Sequence, residues 1–159
     1  MNQSAVKYVL LGAVLAALSG CQGGGGAAED DTPEGQAIEY RQGLMEAISW
    51  KVAQLRGMAQ GDIPVDQTAF LDDAQDVASL AGMIPEGFIP NSAKSSSAAL
   101  PEIWMNFSDF EQKAMDLKSA AMSLAEAAQS NGFESAKGMV QAVGQACGGC
   151  HRPYRRRNE

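Results

Sequence analysis

The chain predicts an all-α protein, an antiparallel up-down-up-down four-helix bundle. Three observations carry this expectation. Four segments repeat their apolar residues at spacings of three and four, and no segment sustains the alternation of a strand. Aromatic residues make up only 6% of the chain while alanine is abundant, a balance that suits helices better than strands. The 159 residues allow one domain, and amphipathic helices of this number bury their stripes most simply against one another.

The formal net charge is −7, which argues against a nucleic-acid partner. The one clear basic patch is C-terminal, at Arg152, Arg155, Arg156 and Arg157.

Residues 1–20 read as a leader and not as part of the fold. Lys7 precedes an apolar run from Val9 to Leu18, too short for a lasting transmembrane helix of about 20 residues. The run ends in "LSGC", Leu18 to Cys21, which resembles a bacterial lipobox and makes Cys21 the expected lipidation site. Gln22, and not an aspartate, follows it, so the expected location is the periplasm, on an outer-membrane anchor. Residues 21–32 are Gly-rich and then acidic; they cannot bury a core and read as a flexible tether.

The bundle is expected over 33–157. The first helix runs from about Pro33 to Gln60, opened by Pro33 with Glu34 in its first turn and stopped by "GDIP". Its stripe is Ile38, Arg41, Met45, Ile48, Val52 and Leu55, an apolar face interrupted by one arginine. The second starts at Asp66, a good N-cap, and reaches about Ala81 with Phe70, Ala74 and Val77 on one face. A long stretch rich in serine follows, of the kind that is functional or disordered in compact domains. The third helix opens at "PEIW", Pro101 to Trp104, carries Ile103, Phe107, Phe110, Ala114, Leu117, Ala121 and Leu124, and ends with Gly132 as C-cap. The fourth begins near Phe133 or Ser135 and runs to the arginine cluster. Val140, Val143, Cys147, Cys150 or His151, and Tyr154 share its face.

That last face holds the chemistry. Cys147, Cys150 and His151 form C-x-x-C-H, the attachment pattern for c-type haem. Two cysteines three apart on a helix project from one face and reach the two vinyl groups of one haem edge, each forming a thioether. The histidine that follows is carried under the ring, where its imidazole binds iron. A thioredoxin-like redox pair would need a strand-to-helix junction, and none is expected here. A zinc site lacks a fourth ligand once Cys21 is set aside, and a disulfide across three residues of a helix is strained. Gly148 and Gly149 inside the motif each cost about 1 kcal/mol against alanine. A flat ligand against the backbone explains their presence, as does simple tolerance of the middle positions.

The residues "EYRQGLM" in the first helix, "LPEIW" opening the third and "VGQACGGCHRPYR" at the end make the chain similar to the class II cytochromes c, the cytochrome c prime family and its low-spin relatives. The resemblance implies an antiparallel bundle with one covalent haem c in its core. It also implies a role in electron transfer or in binding nitric oxide or carbon monoxide. It makes Cys147 and Cys150 the thioether cysteines and His151 the proximal ligand. Arg41 becomes the partner of a haem propionate, Gln42 a haem-edge residue, Met45 the residue facing the other side of the iron, and Arg155 a basic neighbour of the imidazole.

Two features of the residues add to this. Arg41 stands one turn before Met45 and faces the same way, and a buried arginine needs an anion such as a propionate. His151 is the only histidine, so two-histidine ligation within one chain is excluded. Pro153, two residues after His151, is expected to bend the helix and disturb Tyr154 and Arg155. The loop before Pro101 lacks the Gly-rich pattern of many gas-binding members, which favours the low-spin branch.

The leading expectation is therefore a one-electron carrier with Met45 and His151 as iron ligands, a redox protein as its partner, and no enzymatic activity. A five-coordinate iron that binds nitric oxide or carbon monoxide, with Met45 only packing, is the alternative. A haem-free thiol or interaction module is the third. A homodimer is compatible with all three.

Overall fold

The computed structural model describes residues 31–94 and 96–157. The leader, Cys21 and nearly all of the expected tether lie outside the described residues.

Helix α1 spans Pro33–Gln60. The Thr32 hydroxyl accepts from the Gly35 amide at 3.2 Å, Pro33 opens the first turn, and Gly61 closes the helix at φ 80°, where a side chain would be strained. Helix α2 spans Gln67–Met83 behind the Asp66 cap, whose carboxylate accepts from the amides of Thr68 and Ala69. A 3-10 turn follows over Ile84–Gly87, and the chain is then irregular to Pro101.

The expected third helix is two. Helix α3, Glu102–Met105, breaks at Asn106, whose φ of −129° leaves the helical region before α4 runs over Phe107–Asn131. The Asn106 side-chain amide donates to the Glu102 carbonyl at 3.2 Å and shares it with the Asn106 backbone N–H at 3.0 Å, fixing the residue at the end of α3. The fourth segment also starts in pieces. Helix α5, Phe133–Ala136, leads through a 3-10 turn at Lys137–Met139 into α6, Val140–Tyr154.

The four long helices α1, α2, α4 and α6 form the bundle, with α4 packed chiefly on α2 and α6, and α1 on α2. Phe70, Leu55, Val77, Ile103, Phe110, Leu124 and Val143 are fully enclosed. Phe110 joins the core to both ends of the site, meeting Phe88 edge-on at 4.6 Å and Tyr154 at 5.6 Å. Along α1 the buried face is Ile38, Arg41, Leu44, Ile48, Leu55 and Met58. Met45 and Val52, expected at its centre, are only half-buried, because the bundle is hollow on that side.

Among the described residues, no helix is long and apolar enough to cross a membrane.

Candidate haem site

A cavity of about 670 Å³ lies between α1, α4, α6 and the segment after α2. Helix α6 brings Cys147, Cys150 and His151 to it, α1 brings Arg41, Gln42 and Met45, and Arg155 stands at its end. Every residue expected from the sequence at the haem thus lines one space. Phe88, Ile103, Phe110 and Leu117 supply apolar wall. A second groove of about 780 Å³ opens between α1 and α6 beside Cys147, bordered by Arg56, Lys137 and Arg152.

Both thiols are free and half-buried. Burial pushes the Cys150 thiol up to about 11 and Cys147 up as well, so both are protonated at neutral pH. Burial, and then the charge of Arg155, push His151 down, which keeps its imidazole neutral and its lone pair available to a metal. Gly148 and Gly149 are half-buried, and a methyl group on either would meet nothing within 4 Å.

Arg41 is only 3% exposed. It does not snorkel to water. Its Nη1 donates to the Gly87 carbonyl at 3.0 Å and the Ser92 hydroxyl at 2.8 Å. Its Nη2 donates to the Ser92 carbonyl at 2.7 Å and the Ser97 hydroxyl at 2.8 Å. The guanidinium also stands 4.9 Å from the Phe88 ring centroid and 5.7 Å from that of Trp104. All four acceptors are neutral, no carboxylate among the described residues pairs with Arg41, and its buried Nε–H has no partner. The sequence argument that a buried arginine needs an anion is therefore answered only in part within the chain: the hydrogen bonds are largely met and the charge is not.

The segment from Ile84 to Leu100 is held from three sides. Glu86 accepts from the Tyr40 hydroxyl at 2.9 Å, and Gly87 sits so close to α1 that a methyl group there would come within 2.8 Å of Arg41 Cβ. The Trp104 indole donates to the carbonyls of Phe88 and Ile89. Ala99 forms an antiparallel bridge with Arg155. Gln42 is exposed and donates to the Ser96 carbonyl at 3.3 Å.

Pro153 disturbs less than expected. Helix α6 continues through it to Tyr154, which is buried and donates to Asp109 at 2.6 Å. Arg155 then turns to extended backbone, φ −120° and ψ 129°, exposed at the cavity's end. Ser92, Ser97, Trp104, Asp109 and Lys113 were not read as site residues. For the two serines the signal was a serine-rich loop in a chain with an arginine in an apolar stripe; Trp104, Asp109 and Lys113 carried none.

The group expected here is haem c, and the residues fit it. The donor set is two thiols three apart and a neutral imidazole on one helix, and the apolar hollow carries an orphaned, uncompensated buried cation at its wall. Residues 36–155 match the family model for cytochrome C'. The chain belongs to the cytochrome c' family.

Covalently attached haem c is accordingly its cofactor. Cytochrome c-554 of Cereibacter sphaeroides is 36% identical over 76% of this chain and 93% of its own length. The solved cytochrome c prime of Shewanella frigidimarina is 34% identical, covers 78% of this chain and 97% of its own, and superposes with a TM-score of 0.73. A nitric oxide complex of a cytochrome c prime mutant from Alcaligenes xylosoxidans, 22% identical, shares the fold with a TM-score of 0.71 over 79% of this chain and 97% of its own.

These findings correct the leading functional expectation. The low-spin electron carrier with Met45 as sixth ligand rested on the absence of a Gly-rich loop and on the spacing of Met45. The match to the cytochrome c' model, and relatives named cytochrome c', favour the alternative, a five-coordinate iron that binds nitric oxide or carbon monoxide, over Met45 as sixth ligand. Physically, a methionine half-buried against the core at a cavity wall serves equally as packing, and its spacing on α1 does not distinguish the two roles.

Proposed function

We propose that the protein binds a small diatomic gas, nitric oxide or carbon monoxide, at a five-coordinate haem held by Cys147, Cys150 and His151. One observation carries this reading: the cavity that receives these three residues has Met45, Ile48, Val52 and Ala53 among polar and charged residues on its α1 side, and the chain holds no second imidazole to fill the iron's sixth position. Haem iron supplies the open coordination position for the gas. Cys147 and Cys150 would hold the haem as thioethers, each S–H adding across one vinyl group. His151, neutral through burial, donates its lone pair to iron.

Arg41 supplies the charge for a propionate, offering its Nε–H and an uncompensated guanidinium at the wall. Gln42 and Arg155 flank the same space as polar and basic edges. Met45 and the rings of Phe88 and Phe110 supply apolar wall beside the place a diatomic would occupy. For the rest of the chain, residues 1–20 act as a lipoprotein leader, 21–32 as a tether from lipidated Cys21, and 33–157 as the haem domain. The location is the periplasm, at the outer membrane.

Acid–acetone extraction tests the attachment, and gas titration tests the function. The haem is expected to stay on the polypeptide, with Cys147→Ala and Cys150→Ala each impairing its incorporation. The ferrous protein is expected to take up one carbon monoxide per haem. Haem that washes out of the intact protein, or a ferrous form inert to carbon monoxide, contradicts the proposal.

A further inference from the structure

Ser97 joins two parts of the site that the bundle otherwise holds apart. Its buried hydroxyl oxygen accepts from Arg41 Nη2 at 2.8 Å and from the Ala99 amide at 3.2 Å. Ala99 is the residue bridged to Arg155. On either side of it the Leu100 amide donates to the Tyr154 carbonyl at 3.0 Å, and the Arg156 amide donates to the Ala98 carbonyl at 2.8 Å. The Arg155 amide closes the path by donating to the His151 carbonyl at 3.0 Å. The strap 97–100 therefore runs from the buried cation of α1 to the backbone of the histidine on α6, along the end of the cavity.

Ser92 makes the comparison informative. It is fully buried, and its hydroxyl accepts from Arg41 Nη1 at 2.8 Å, but its own donor bond goes to the Ile89 carbonyl and not to the 97–100 strap. Ser92 and Ser97 thus hold the same guanidinium with equally short bonds, and only Ser97 also holds the strap.

We infer that Ser97 is a positioning residue: through the 97–100 strap it couples Arg41 to the end of α6, sets the stance of the His151 imidazole, and thereby tunes how tightly the iron holds a gas. This deepens the haem reading and rests on it. Removing the hydroxyl frees the strap at one end, and the last turn of α6 then relaxes with it. Couplings carried by such hydrogen-bonded paths change an equilibrium by about threefold or more.

The test compares purified Ser97→Ala, Ser97→Thr and Ser92→Ala with the wild type. The readouts are the iron–histidine stretching band of the ferrous protein and its carbon monoxide affinity. Ser97→Ala is expected to shift the band and change the affinity about threefold or more. Ser97→Thr, which keeps the acceptor, is expected to match the wild type, and Ser92→Ala to leave the band in place. An unshifted band in Ser97→Ala overturns the inference. So does an equal shift in Ser92→Ala, which would mean that any loss from the arginine cluster acts alike. A shift in Ser97→Thr as large as that in Ser97→Ala assigns the effect to side-chain volume and also overturns it. If Ser97→Ala fails to retain haem while Ser92→Ala retains it, the coupling is supported; failure of both counts against it. A wild type without covalent haem sinks the underlying haem reading instead, and is recognised before any variant is compared.

Discussion

Arg41 shows what a single residue contributes. An arginine inside an apolar stripe is an anomaly in the sequence, and the structure resolves it by wrapping the chain between Gly87 and Ser97 around the guanidinium. Burial pulls its pKa down from the ordinary value, and the cost of enclosing the charge is offset by four acceptors and two aromatic faces. Replacing it by alanine takes a donor from four acceptors at once, of which Ser97 Oγ and the Ser92 carbonyl keep the Ala99 and Lys94 amides. Arg41→Ala is therefore expected to lower unfolding free energy by about 3 kcal/mol or more, read from denaturant midpoints, and to loosen the 87–97 segment. A loss within the ordinary scatter of surface substitutions would show that the loop does not depend on it. The arginine itself was legible in the sequence; its partners were not, because serine hydroxyls and loop carbonyls carry no periodic signal.

Among the elements, α6 is the most informative. Its start was blurred in the sequence by the turn at Lys137–Met139, and its end by Pro153. A proline in the last turn costs only one backbone bond, and here a side-chain bond from Tyr154 to Asp109 of α4 fixes the end instead. That bond, and then burial, push the Tyr154 phenol from its ordinary 10.0 up to about 12. A raised folded-state value favours the neutral phenol, so the contribution is complete below pH 10 and is lost as pH rises from about 10 to about 12. Stability measured across that range should fall more steeply in the wild type than in Tyr154→Phe, which has no phenol to ionise. Parallel slopes would show that the bond does not persist in solution. The division of the third segment at Asn106 was not legible, since a pair of hydrogen bonds from one asparagine to the Glu102 carbonyl is a local geometry that apolar spacing does not encode.

For the whole molecule, the bundle and the placement of Cys147, Cys150 and His151 on one helix were legible, because both follow from spacing alone. The state of the iron was not. Met45 at helical spacing from Arg41 fits a ligand and a packing residue equally, and the family match bears on the coordination of the iron and not on this side chain. The expected anchor, Cys21, lies outside the described residues. Labelling cells with radioactive fatty acid should mark the wild type and not Cys21→Ser, and a wild type found soluble and unlabelled would remove the anchor. The central claim concerns the haem's open position. The measurement that meets it most directly is the optical and resonance Raman spectrum of the holoprotein produced in the periplasm, taken alongside Met45→Ala. The account predicts high-spin, five-coordinate signatures in both the ferric and ferrous wild type, with the same coordination number in Met45→Ala. A low-spin, six-coordinate wild type that turns high-spin in Met45→Ala would contradict it.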